Sequence, residues 1–586
     1  MNAQSESEKI ESVLMYVRSG ISDEKQFREI NNRFVGKGGS LIKGLTFLLS
    51  HYPKNGFLLL TLSKELYNDS DDKSVIALLD SFECEKEYVV PLLEILAMAF
   101  QRERRYSDAE RIFDAAVSSP GVTIELLEKW LRLKLELLKN VEAAEFLESA
   151  LSLYPKNADL LSLLAQVQVA ISKDDAVSNM EKSFALHDKE AQGLKLVKIY
   201  RSAGQSSKAK DLLEKIIAKN SASVEANAAY AQIKRFSQED LGFIKQLETL
   251  YDKFPSGSKD RAEIGYSLSK AFDDLGEFEQ SIRYVNEASD IMKVIRDSTE
   301  IDTTSRLSDY MKLAFRNDES LSGYSDVQPV FIVGMPRSGT TLLESSMGMH
   351  SRLGGIGERD LVTQVSHGYE ISNSNTEILF KMSSGRGAFW EASEPHSCFE
   401  RGEMYSKKAA LLAGGKSRTV DKMPSNFINV GLIRAFLPQS KVIFMRRHPV
   451  ATCLSIFKTN FAEGHGWSYC LKDIARYYRL ANSLMKYWSE LYPDMIYSVS
   501  YENLVTDFER EMTSVFEFLG ESWEDGCKDF HKRESVVSTA SMEQVRQPLY
   551  TSSILSWKNY RDYLDDFSVE IQDLIEEYES EVPMSA

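Results

Sequence analysis

Small and large apolar residues alternate with polar ones along the first half of the chain at the spacing of one helix face. In "RRYSDAERIFDAAV", Tyr106, Ala109, Phe113 and Ala116 stand at steps of three, four and three, which places them on one side of a helix. "NVEAAEFLESALSLYP" repeats the arrangement with Ala143, Leu147 and Ala150 and closes on Pro155. "KDDAVSNMEKSFAL" supplies Ala176 and Met180, and "QSSKAKDLLEKII" supplies Ala209, Leu213 and Ile216. The four alanines Ala109, Ala143, Ala176 and Ala209 are separated by 34, 33 and 33 positions. A later copy, "LGEFEQSIRYVNEAS", has Ser281, Val285 and Ala288 in the same roles. Ser281 lies 72 positions beyond Ala209, so Ala222 to Pro255 reads as one weak copy. Leu93, Ala97 and Phe100, and later Tyr200, suit the companion helix of each unit.

The pattern changes after the polar, turn-rich segment "RNDESLSGYSDVQP". "PVFIVG" and "SKVIFMRR" read as buried strands, "MIYSVSYENLV" as a third, and "RTVDKMPSNF" begins with a short extended segment. Helical stretches lie between them: "TTLLESSMGMH", "HPVATCLSIF" with its proline in the first turn, and "CLKDIARYYRLANSLMKYWSELY". Strands alternating with helices imply a parallel sheet covered on both faces. A period near 34 with two helices per unit resembles the tetratricopeptide repeat. The expected fold is therefore multidomain: an all-α tetratricopeptide-like solenoid, then a P-loop-like α/β domain with a parallel sheet. The expected boundaries are a helical segment over 1–86 without assigned register, repeats over 87–315, a linker over 316–328 and the α/β domain over 329–586.

The loop "GMPRSGTT" carries the candidate chemistry. The P-loop pattern is G-x-x-x-x-G-K-[ST]. Gly334 and Gly339 keep its spacing and Thr341 fills its hydroxyl position, but Thr340 stands where the lysine belongs. A glycine-bounded turn entering a helix offers backbone N–H groups and a positive dipole end to an anion. Arg337, Ser338, Thr340 and Thr341 add side-chain donors. Without the lysine, γ-phosphoryl transfer loses its main charge stabiliser. Three further features follow: Glu358 in "LGGIGERD", Lys422 in "DKMP", and Arg447 eight residues before Ser455 in "MRRHPVATCLS". Arg447 at a strand end and Ser455 two turns into the next helix suit a second phosphate.

Composition narrows the classes. The chain has 586 residues, too many for one core. Its net charge of -17 argues against a broad nucleic-acid surface and leaves room only for a local basic pocket. Five cysteines lie scattered with no C-x-x-C, so neither a disulfide framework nor a structural zinc site is expected. The N-terminus lacks the layout of a signal peptide and no apolar run is long enough to span a membrane, so a cytoplasmic location is expected.

"PVFIVGMPRSGTTLLESSMGMH…GE", taken with "DKMPSN", "KVIFMRRHPVATCLS" and "YENLV", resembles the sulfotransferase superfamily, over about Gln328 to Tyr563. Within it, the chain looks like the tyrosylprotein sulfotransferase branch and, with the repeats, like bacterial proteins that join tetratricopeptide repeats to a sulfotransferase domain. The resemblance implies 3'-phosphoadenosine 5'-phosphosulfate as sulfuryl donor, with no metal required. It implies that Gly334, Pro336, Arg337, Ser338, Gly339, Thr340 and Thr341 hold the 5'-phosphosulfate and that Arg447 and Ser455 hold the 3'-phosphate. It implies that Tyr501 lies near the adenine and that "YTSSILSWKNY", with Ser553, Trp557 and Lys558, covers the donor. Glu358 matches the general base of the tyrosylprotein branch, and Lys422 and Arg337 match the groups that stabilise the transferring sulfonyl group.

Other polar residues read as structural. His350 and His448 do not stand where cytosolic sulfotransferases place a histidine base, and Arg446 reads as a structural neighbour of Arg447. His448 occupies a position where the family often has Asp. The aromatic run in "ARYYRLANSLMKYW" has helical spacing and reads as core. The repeats argue for a protein or peptide acceptor, tyrosine included, because such solenoids present concave binding surfaces. A glycan or small-molecule hydroxyl is the alternative acceptor, and a repeat scaffold with an inactive transferase domain is the alternative function. Asp360 follows Glu358 by two positions where a basic residue would favour acidic peptides. Solenoids also serve as dimerisation modules, which leaves the oligomeric state open.

Overall fold

The computed structural model describes residues 41–582, apart from 104, 138, 170–172, 297–299, 316–322, 367–369, 374–375, 382–396, 462–464, 533–548 and 550. The expectation for residues 1–40 and most of the expected linker fall outside this set. Among the described residues, those up to Ala143 form one compact unit and those from Ala144 on form another. The division falls inside the helix Asn140–Leu153, not at the expected change of pattern near 316.

The first unit is helical. Leu41–His51, Gly56–Asn68 and Asp72–Leu79 precede Lys86–Arg102, Tyr106–Val117 and Ile124–Glu136. Side-chain caps set several starts: Asn55 accepts from Leu58 N and Thr123 accepts from Leu126 N. Ala109, Phe113 and Ala116 are fully buried, as a small-residue seam between paired helices requires. Lys134 is buried as well, and Glu110 and Asp114 accept from its ammonium at 2.6 and 3.2 Å.

The second unit begins with the helical pairs Ala158–Gln168 with Lys173–Leu186 and Glu190–Ser202 with Ser206–Lys219, then the helices Val224–Ile233 and Leu241–Lys253, then the pair Lys259–Asp274 with Phe278–Ile295. Glu300–Ala314 follows. Ala176, Met180, Ala209, Leu213, Ser281, Val285 and Ala288 are all buried seam positions. Residues 222–255 form the two helices Val224–Ile233 and Leu241–Lys253, each of which packs on Lys259–Asp274. Their connection includes a 3-10 turn, Gln238–Asp240, in which Ser237 and Asp240 cap each other. That longer connection accounts for the interval of 72.

Five strands follow: β1 Val330–Gly334, β2 Leu353–Gly355, β5 Arg418–Lys422, β6 Lys441–Arg446 and β7 Ile496–Ser500. They form one sheet in the order β2-β5-β1-β6-β7, parallel throughout. A separate antiparallel ribbon pairs β3 Glu370–Asn373 with β4 Thr376–Lys381. The central strand β1 is buried along its whole length, as a strand covered on both faces must be. In register, Ile332 faces Lys422 and Gly334 faces Met445. The ends of β1, β5 and β6 therefore meet on one edge, where open parallel sheets bind ligands.

One strand expectation is corrected. β7 stops at Ser500 and the helix Tyr501–Thr506 begins at once, because the Ser500 hydroxyl accepts from Asn503 N at 3.2 Å. The aromatic run in Leu471–Leu491 is core, as expected. Tyr477, Tyr478 and Trp488 are buried, and Tyr477 stacks on Trp467 at 4.0 Å.

Within this unit the last repeat helices pack directly on the α/β domain. Phe315 meets Trp488 edge-on at 6.4 Å, and Tyr487 donates its hydroxyl hydrogen to the Lys312 carbonyl at 2.8 Å. Gly431 makes room for Phe315, since a Cβ there would lie 2.4 Å from the ring. Among the described residues, no helix is long and apolar enough to cross a membrane.

Candidate active site

The loop after β1 is bent by three residues in the left-handed region: Gly334 (φ 148°), Arg337 (φ 67°) and Gly339 (φ 105°). At Gly334 a Cβ would lie 2.4 Å from the Met445 carbonyl, and at Gly339 it would lie 2.6 Å from the Tyr501 ring. Neither site accepts a side chain. Arg337 has no such licence from its own chemistry, and its conformation is held by the surroundings. Ser338 closes the turn by donating to the Met335 carbonyl at 2.7 Å. Gly339 then caps the helix Thr340–Met347, whose first residues Thr340 and Thr341 are buried.

Two side-chain clusters flank this loop. In the first, Arg337 Nε donates to Ser455 Oγ at 3.1 Å. Arg447 Nη1 donates to the Arg337 carbonyl and its Nη2 to the Ser553 carbonyl, both at 3.0 Å. The Arg447 guanidinium also lies 4.7 Å from the Tyr501 ring centre. Tyr501 Oη and Ser553 Oγ are 2.7 Å apart. Ser455, expected beside Arg447, is thus bonded to Arg337, while Arg447 binds two backbone carbonyls. Lys558 is exposed and makes none of these contacts. Tyr478 accounts for part of the alignment, since its hydroxyl donates to the Arg447 carbonyl at 2.9 Å.

The second cluster lies at the end of β5. Lys422 is fully buried, and its ammonium donates to Glu358 Oε1 at 2.6 Å and stands 3.7 Å from Glu344 Oε2. Glu358 keeps 37% of its side chain exposed, so one face of the pair is open. It follows Gly357 (φ 73°), whose N–H donates to Glu344 Oε1 at 2.7 Å. Glu344 thereby holds the Glu358 turn and the Lys422 ammonium together. Sequence reasoning missed Glu344; its helix position, three residues past Thr341 and facing the sheet, was the available signal.

Asp421, next to Lys422, was also missed. It is fully buried and its Oδ2 accepts from the Tyr405 hydroxyl at 2.9 Å, while its Oδ1 has no hydrogen-bond partner. Burial pushes its carboxyl up to about 8; Tyr405 opposes this, Glu344 and Asp360 add to it, and Lys422 opposes it. Burial also raises the Asp360 carboxyl.

The residues read as structural are placed as such. His350 lies 3.1 Å from the Ser522 carbonyl and accepts from Arg352 N at Nδ1. Arg446 pairs with Glu581. His448 is buried, stacks on Trp557 at 4.6 Å and donates its backbone N–H to Glu502 at 3.1 Å. Burial is the main force holding its imidazole below the usual range.

Two buried donors at or beside the first cluster bear on its ligand. Neither Arg447 Nε nor Trp557 Nε1 has a hydrogen-bond partner. Buried donors left open beside a guanidinium and a glycine-bounded N-terminus fit an anionic, phosphate-bearing ligand. Among the described residues, no group of three or more His, Cys, Asp or Glu is arranged to hold a metal ion.

Residues 329–525 match the profile described as "Sulfotransferase family". The α/β region thus carries a sulfotransferase-family domain, preceded by tetratricopeptide-like helical pairs. An uncharacterised protein of Aquifex aeolicus (strain VF5) is 27% identical over 427 residues, which is 70% of this chain and 54% of that protein. The chain therefore spans about half the length of that relative. The sulfotransferase domain of the Synechococcus PCC 7002 olefin synthase aligns at 19% identity and a TM-score of 0.30, covering 41% of this chain and 91% of that one. A tetratricopeptide repeat protein from Parabacteroides merdae aligns at 15% identity and a TM-score of 0.28, again over 41% of this chain and 91% of that one.

Proposed function

We propose that this protein transfers a sulfuryl group from 3'-phosphoadenosine 5'-phosphosulfate to an acceptor hydroxyl. The observation that carries the reading is the pair Glu358–Lys422 at 2.6 Å, buried on the lysine side and open on the carboxylate side, at the edge shared with the glycine-bounded loop. The loop residues Gly334, Pro336, Arg337, Ser338, Gly339, Thr340 and Thr341 would hold the phosphosulfate. Arg447, with its open Nε, and Ser455 would hold the 3'-phosphate; Tyr501 and Ser553 would line the nucleoside. The donor supplies the sulfuryl group and leaves as 3',5'-adenosine bisphosphate.

Glu358 takes the proton of the acceptor hydroxyl as its oxygen bonds to sulfur, and the sulfur–oxygen bond to the phosphate breaks with its electron pair on the leaving group. Arg337 and Lys422 offset the charge that grows on the bridging and sulfonyl oxygens. A sulfonyl group carries less negative charge than a terminal phosphoryl group, so the P-loop lysine is not needed beside it. The acceptor we favour is a tyrosine of a protein or peptide held by the repeats. Asp360 stands two positions after Glu358, where a basic residue would favour acidic flanking sequence, so that preference is not carried over.

The test has two arms. The full chain should bind 3',5'-adenosine bisphosphate more tightly than ATP with magnesium; the reverse order removes the reading. Labelled donor incubated with the chain and a host lysate should then put label on protein, whereas label on glycan or small molecules would replace the acceptor assignment.

A further inference from the structure

The segment from Ser553 to Tyr560 is pinned at three points spaced four and three residues apart, which is one face of its helical turns. Ser553 meets Arg447 and Tyr501. Trp557 stacks on His448 at 4.6 Å. Tyr560, buried, is held by a cluster that reaches into the repeats. Its hydroxyl donates to Asp273, accepts from Lys458 Nζ at 2.8 Å and lies 2.9 Å from Ser281 Oγ. Lys458 Nζ also pairs with Asp273 Oδ2 at 2.7 Å. Phe278 abuts the Tyr560 ring edge-on at 5.1 Å.

Asp273, Phe278 and Ser281 belong to the last full repeat pair, Lys259–Asp274 and Phe278–Ile295. Lys458 caps the helix Pro449–Phe457, one turn past Ser455, which is the partner of Arg337. One buried cluster therefore fixes both the helix that carries Ser455 and the segment that carries Ser553. We infer that the repeat residue Asp273 is a positioning residue for the donor site, acting through Tyr560 and Lys458 to hold the Ser553–Tyr560 segment over Arg447. This rests on the donor assignment above. It gives the repeat array a role in sulfuryl transfer that does not depend on acceptor binding, and it makes donor affinity sensitive to any strain in the last repeat.

The experiment is calorimetric titration of 3',5'-adenosine bisphosphate into the full chain, alongside steady-state kinetics in the donor. Tyr560→Phe keeps the ring against Phe278 and removes the hydroxyl; Asp273→Asn removes the charge. Each should weaken bisphosphate binding and raise donor KM by roughly three- to tenfold, the scale of a lost buried hydrogen bond, with kcat within about twofold. The double variant should be no worse than the weaker single, because both act through one cluster. A merely structural role would lower the folded fraction and the unfolding midpoint but leave the dissociation constant at the wild-type value, and that result overturns the inference. Should Asp273→Asn fail to fold, Tyr560→Phe decides alone. If the wild-type chain itself does not bind the bisphosphate, the donor assignment falls and the inference with it; wild-type binding with unaltered variants sinks the inference only.

Discussion

Lys422 has no exposed surface, yet the carboxylate it grips, Glu358, is more than one-third open to solvent. The lysine is thus a fixed buried charge, with Glu344 3.7 Å behind it, and the glutamate is the partner free to meet an incoming hydroxyl. That asymmetry separates their proposed roles. Glu358→Gln should lower kcat by at least about 100-fold, the usual contribution of a positioned base, while bisphosphate affinity stays at the wild-type level. Lys422→Met should lower kcat by roughly 100- to 1,000-fold, as loss of a charge stabiliser does. Single-turnover rates with the folded variants check both, and a fully active Glu358→Gln enzyme would remove the base assignment.

Arg447 binds two carbonyls with its two Nη groups and keeps Nε open. A lysine has one point charge and cannot fill three directions at once. Arg447→Lys should therefore weaken 3',5'-adenosine bisphosphate binding about tenfold or more. Adenosine 5'-phosphosulfate, which lacks the 3'-phosphate, should lose far less. Equal losses for the two ligands would mean that Arg447 serves the loop and not the 3'-phosphate.

Much of this site was legible because its parts are local. Gly334, Arg337 and Gly339 sit in one eight-residue loop, and strands β1 and β6 are uninterrupted apolar runs ending in that chemistry. What escaped is set by long-range packing. β2 is three residues, two of them glycine, and is a strand only because it pairs with β5; Gly354 is squeezed so close to the Ala413 carbonyl that a Cβ would lie 2.3 Å away. The bond from Arg337 to Ser455 spans 118 positions, and the Tyr560–Asp273 bond spans 287. No periodicity announces either. The end of β7 was misread because the apolar pattern of "YSVSYENLV" runs on, while a single serine cap at Ser500 turns the backbone into a helix.

The repeat seam was read from spacing alone, and its tightness makes a separate prediction. Ala209 is fully buried, whereas Ala218 in the same helix, Ser206–Lys219, is exposed. Ala209→Leu should destabilise the fold by about 1–3 kcal/mol through overpacking. Ala218→Leu should be close to neutral, since leucine and alanine are both good helix formers. Chemical unfolding of the two variants measures the contrast, and comparable midpoints would mean that the seam tolerates bulk and that Ala209 does not set the helix approach.

Asp421 gives the fold a pH dependence of defined sign. Its carboxyl, at about 3.8 in the unfolded chain, is pushed up to about 8 in the folded protein, chiefly by burial. Between those values the folded state binds more protons than the unfolded state. Stability conferred by the neutral form is therefore fully present below about pH 4 and is lost as pH rises towards 8, with a slope of at most about 1.4 kcal/mol per pH unit from this group. Asn has nearly the shape of a protonated Asp and cannot ionise. Its side-chain oxygen can still accept from Tyr405, while no partner faces the Oδ1 position. Asp421→Asn should consequently match the wild type near pH 4 and be the more stable of the two at pH 8. Denaturant midpoints at both pH values test this. A wild type that stays level with the variant or gains on it between pH 4 and 8 would show that Asp421 is ionised in the fold, paired with the Lys422 ammonium in place of a proton.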